Sequence, residues 1–213
     1  MSARNATLVA IVTIAAWVPR ALAAAPDAGA LIAGLARPAP ASVTFTEVRF
    51  SSLLREPLIV SGELGYLGAG GLERRVTAPY RETTVIRGDA VRIERDGEAP
   101  RSFALKRAPE LKGFLSAFTA LLAGDAAALA RDFTVTASGE QDRWSLELTP
   151  NEERARRRLR AIVINGSGAE PRCLATFDVR EGGSVLLFGV GATEPLVAAD
   201  VSLDGLLARC RAE

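Results

Sequence analysis

There is no histidine anywhere in the 213 residues. That absence removes the Ser-His-Asp triad, the Cys-His dyad and any metal site built on imidazole. "NGSG" at 165–168 is not a nucleophile elbow, because its first glycine stands directly beside the serine. No phosphate-cradling glycine loop with a lysine is present, and the carboxylates are scattered singly. An enzyme is therefore not expected, and neither is a metal or a cofactor. No charge of one sign dominates: 26 basic residues stand against 25 acidic ones, which gives no reason to expect nucleic acid as a partner. Beyond the N-terminus no segment reaches 18 consecutive apolar residues, so no membrane-spanning helix is expected there.

What is present begins at the N-terminus. Arg4 leads into "ATLVAIVTIAAWV", broken at Pro19-Arg20 and followed by "ALAAAPD". A charged start, a short apolar run and an Ala-x-Ala exit predict a cleaved secretory signal peptide over residues 1–25. Residues 26–213 then form a single exported domain, placed in the periplasm. Export bears on Cys173 and Cys210. A lone pair in an oxidising compartment reads as a disulfide, with two buried free thiols as the alternative.

The mature chain reads mainly as strands. "VTFTEVRF" (43–50), "PLIVSGELGYL" (57–67) and "LERRVTAPYRETTVI" (72–86, broken at Pro79) alternate apolar with polar residues. So do the hairpin turning at Asp96-Gly97, "FTVTASGEQDRWSLELTP" and "CLATFDVREGGSVLLFGV". Such alternation describes an antiparallel sheet with one covered face. Asp27 caps a short helix that ends at Pro38/Pro40, and "DVSLDGLLARC" forms a last helical turn returning Cys210 to Cys173. Nine to eleven strands tend to curl, and a hollow left unclosed needs a cover.

One segment supplies it. In "LKGFLSAFTALLAGD" (111–125), Leu111, Phe114, Leu115, Phe118, Leu121 and Leu122 recur with the period of one helix face. The opposite face, with Lys112, Ser116, Thr119 and Ala120, carries little charge. This helix either plugs the sheet permanently or covers it as a displaceable lid. Phe45, Leu64, Tyr66, Trp144, Leu146 and Leu148 are expected on the concave side, as cavity wall or as core. Arg154, Arg156, Arg157, Arg158 and Arg160 read as a solvated face paired with Glu152 and Glu153, or as a docking patch for an acidic partner or lipid headgroups.

The order of "VTFTEVRF", "SGELGYL", "LERRVTAPYRETTVIRGDAVRIERDG", "RWSLELTP" and the closing hairpin resembles the LolA-type outer-membrane lipoprotein carriers, as a divergent member. Phe45-Thr46-Glu47 stands where that family usually has Phe-x-Gln. The resemblance, over residues 43 to about 190, implies a half-open β-barrel of the LolA/LolB type covered by lid helices. It implies a periplasmic chaperone that binds the acyl chains of lipoproteins and shuttles them from an inner-membrane transporter to an outer-membrane acceptor. It implies a monomer with no nucleic-acid partner.

There are departures. Family members usually carry an Arg-Pro before the Leu-led strand, its arginine contacting the lid; here "GAGGL" (68–72) intervenes and the first arginine is Arg74. With few Trp and Tyr and an unusual cysteine pair, the alternative cargo is a non-lipoprotein envelope lipid or polyene-type chain. A lipid-sensing module is the other alternative. A LolB-type receptor would need a cysteine at the mature N-terminus.

Overall fold

Backbone alternation organises most of the described residues. The computed structural model describes residues 26–68, 71–107, 109–179, 182–198 and 201–212, so the signal peptide expected over 1–25 lies outside the described residues. The strands are β1 (Ala41–Phe50), β2 (Leu58–Tyr66), β3 (Gly71–Ala78), β4 (Glu82–Arg87), β5 (Ala90–Arg95) and β6 (Arg101–Ala104). After a helical excursion come β7 (Phe133–Glu140), β8 (Arg143–Pro150), β9 (Leu159–Ser167), β10 (Glu170–Asp178) and β11 (Gly183–Phe188). They form one eleven-stranded sheet in the order β6-β5-β4-β3-β2-β1-β11-β10-β9-β8-β7. Every pairing is antiparallel, and the two meanders meet where β1 pairs with β11, Phe45 opposite Phe188. The break expected at Pro79 separates β3 from β4.

The sheet is strongly curved and does not close. A flat sheet of eleven strands would be about 48 Å wide at roughly 4.8 Å per pair. Yet Val91 and Phe103 near one edge share a single hydrophobic cluster with Phe133 and Val135 at the other. Register shifts at Ser61/Gly62 in β2, and at Pro171/Cys173 and Phe177/Asp178 in β10, add local bend. At Gly62 a Cβ would fall 1.9 Å from the Arg75 carbonyl oxygen, so only glycine allows that approach.

The two free edges, β6 and β7, are consecutive in the chain, and residues 105–132 run between them. This stretch forms a 3-10 turn (Leu105–Arg107), α2 (Pro109–Leu122) and α3 (Ala126–Asp132), the latter capped by Asp125. The N-terminal α1 (Ala28–Gly34), capped by Asp27, joins them. The Arg37 amide donates to the Leu122 carbonyl at 2.8 Å, binding the ends of α1 and α2 together. Gly124 takes a positive φ of 68° where a Cβ would meet Ala36 at 3.0 Å. The three helices lie over the concave face because their apolar sides belong to the same cluster as the strands.

A smaller core lies on the convex side. Because strand side chains alternate, Phe45 points into the hollow and Val48 points out. Val48, Cys173, Ala175, Val185 and Leu187 are covered there by Leu206 and Cys210 of α5 (Leu203–Ala212), a longer helix than the single turn expected. A short α4 (Glu153–Arg156) links β8 to β9. Cys173 and Cys210 are bonded, 37 positions apart, and no described cysteine is free.

Candidate functional site

The helical period of α2 turns Leu115, Phe118 and Leu121 toward the sheet, at 5%, 8% and 5% exposure, with Leu122 half-buried beside them. Leu111 and Phe114 belong to the same helix, and their side chains lie outside the described residues. On the outer side, the Thr119 hydroxyl donates to the Leu115 carbonyl at 2.7 Å. Ser116 donates to the Asp132 carboxylate at the end of α3, so the two cap helices are tied to each other.

Packing between cap and sheet leaves a gap near the C-terminal end of α2. A cavity of about 180 Å³ remains where the C-terminal halves of α1 and α2 meet β1, β2, β9, β10 and β11. Phe118, Leu121, Leu122 and Leu35 form its helical side; Val43, Leu64, Tyr66, Ile164, Leu174 and Phe188 form its strand side. The polar part of the lining lies at the rim. Arg37, following α1, donates to Glu170 Oε1 at 2.9 Å and to the Ala169 carbonyl on the β9–β10 turn. This clasp joins residues 133 positions apart, which no local pattern announces.

Of the six wall residues expected from alternation, Leu64 and Tyr66 line the cavity. Phe45, Trp144, Leu146 and Leu148 face the same hollow, deeper, and are at most 1% exposed within the packed core. Trp144 lies against Gly166, where a Cβ would stand 2.3 Å from a ring carbon, and its indole N–H donates to the Gly168 carbonyl at 2.8 Å. Alternation therefore fixes the face of each residue, and the curvature of the sheet fixes its depth.

The hollow also holds a charged group. Glu47, 6% exposed, accepts from Arg74 at 2.6 Å and from Arg49 at 2.8 Å. The Arg74 guanidinium crosses the Phe45 ring, 5.0 Å from its centroid, to reach that carboxylate. Thus the first arginine after "GAGGL" is held by the sheet itself. Burial pushes the Glu47 carboxyl up, but hydrogen bonding and charge from Arg49 and Arg74 outweigh it, and the group sits below the usual glutamate range.

A family described as outer membrane lipoprotein carrier protein LolA-like matches residues 20–210 of the chain. Among solved structures, a LolA superfamily protein from Nitrosomonas europaea is 11% identical, with 83% of this chain and 96% of that one covered at a TM-score of 0.43. LprF from Mycobacterium bovis is 12% identical, with 82% and 98% covered at a TM-score of 0.34. No curated protein matches the sequence.

Proposed function

Since the chain belongs to the LolA-like outer membrane lipoprotein carrier family, its function is of the lipid- or lipoprotein-binding carrier kind, and we propose that it shuttles acylated cargo through the periplasm toward the outer membrane. On this reading the signal peptide over 1–25 directs export, and the mature protein works as a monomer. It receives cargo from an inner-membrane transporter and yields it to an outer-membrane acceptor. Its work is binding and release, with no chemistry performed on the cargo. No described helix is long and apolar enough to cross a membrane.

The observation that carries the proposal is the apolar cavity at the seam between cap and sheet. A cavity at such a seam can enlarge by displacement of one wall. At about 180 Å³ the space is smaller than the roughly 300–1,000 Å³ of ordinary ligand sites. Uptake of an acyl chain therefore requires α2 to lift from Leu64, Leu174 and Phe188. Release is the reverse step, with α2 returning to cover the hollow.

Titration with a fluorescent long-chain fatty acid tests this. Saturable binding is expected, and Val43→Phe, which fills the cavity from the strand side, should weaken it at least tenfold while the protein keeps its fold by circular dichroism. Absence of saturable binding, or equal binding by the filled variant, refutes the cavity reading.

A further inference from the structure

We propose that a second, polar cleft at the foot of α2 is an anion-binding site for a phosphate-type oxyanion, either free or carried as a lipid headgroup. The cleft encloses about 490 Å³ between the 3-10 turn, the first part of α2, the end of α3 and α4. Lys106, Arg107, Arg131, Arg154 and Arg158 line it, against the two carboxylates of Asp132 and Glu152. Its floor is apolar, made by Phe133, Pro150 and Leu159.

Two features separate this cluster from an ordinary solvated face. The first is pairing. Arg37, Arg49, Arg74, Arg75, Arg92, Arg95, Arg101, Arg157 and Arg209 each have a carboxylate partner. Among the described residues, Lys106, Arg107, Arg131 and Arg154 have neither an ion pair nor a side-chain hydrogen bond; Arg55, Arg81, Arg87, Arg143, Arg172 and Arg211 share that state, but none of those six lines this cleft. Asp132, one of the two acids in the cleft, already accepts from Ser116.

The second feature is a fixed frame. The Asn151 amide donates to the Ala130 and Arg131 carbonyls at 3.1 and 3.2 Å, locking the end of α3 onto the β8–α4 turn. Arg156 donates to the Pro150 carbonyl at 3.2 Å and to the Asn151 carbonyl, anchoring α4. The backbones that carry Arg131, Arg154 and Arg158 are thereby held around one hollow. Cations gathered in a concavity with apolar walls focus a positive potential. Guanidinium groups match phosphate oxygens two at a time, and charge-assisted bonds of that kind are the strong ones.

The site stands apart from the apolar cavity and does not depend on the carrier reading. Calorimetric titration with inorganic phosphate and pyrophosphate, and co-sedimentation with vesicles of phosphatidylglycerol in phosphatidylcholine against phosphatidylcholine alone, provide the test. Binding to at least one anionic probe is expected at low salt, weakening as salt rises. An R107Q/R154Q variant, altered only at exposed positions, should bind at least tenfold more weakly at unchanged melting temperature. Arg157→Gln, outside the cleft, should bind as the parent does. Binding of the soluble anions identifies a free oxyanion as ligand; binding of anionic vesicles alone identifies a headgroup. No binding to either probe, undiminished binding by the double variant, or equal loss in Arg157→Gln overturns the proposal.

Discussion

At the scale of single residues, the hollow combines grease with one well-compensated charge. Glu47 is paired with Arg74 and Arg49, so its folded pKa lies below its unfolded value near 4.3. A depressed carboxyl stabilises the fold at neutral pH and loses that contribution as pH falls through the folded pKa. Stability measured by denaturant unfolding should thus decline below about pH 4.3, and Glu47→Gln should remove part of that slope. At pH 7 the same variant should cost on the order of 1–3 kcal/mol, because charge-assisted hydrogen bonds are lost at a buried position. Gly166→Ala makes a second prediction: its Cβ would strike the Trp144 ring and the Glu170 carbonyl, destabilising the fold by about 1–3 kcal/mol. Neither arrangement is legible in sequence. Glu47 and Arg74 lie 27 positions apart and meet only because β1, β2 and β3 pair in that register.

At the scale of elements, the energetics of α2 decide what can open it. Exposing Leu115, Phe118 and Leu121 costs about 1.5–3 kcal/mol each, or about 4.5–9 kcal/mol together. Burying a methylene returns about 0.8 kcal/mol, so roughly 6–11 methylenes offset the opening. Affinity should accordingly rise steeply with chain length, octanoate binding far more weakly than palmitate in competition with the fluorescent probe. Flat dependence on length would show that α2 stays shut. The convex side gives another test. Replacing both cysteines by alanine should cost about 4 kcal/mol for a 37-residue loop in the chain-entropy argument, read from chemical denaturation.

Elements were the most legible level. The apolar period of 111–122 and the cap at Asp27 are local signals, and the structure places helices at both. Strand alternation likewise identified the inward residues. It did not separate Leu64 and Tyr66, at the cavity, from Trp144 and Leu148, in the core, because depth depends on curvature summed over many strands. The cationic cleft was legible only in part, for a related reason. Arg154 and Arg158 are a local run, but Lys106, Arg107 and Arg131 join them only through the path of the chain across the open edges.

At the scale of the whole molecule, one topological fact governs the rest. Joining the two meanders through β1 and β11 leaves β6 and β7 as edges, and the chain between those edges supplies the cap. A single sheet is thus covered by the chain segment that joins its own two edges. The apolar cavity lies toward one end of α2 and the cationic cleft toward the other. The most direct measurement of the carrier account is mass spectrometry of an organic extract of the protein isolated under native conditions from periplasm. A carrier should yield a co-purifying acylated molecule that is depleted in Val43→Phe. Protein isolated in the same way with no acyl-bearing species, or with equal amounts in parent and filled variant, would contradict it.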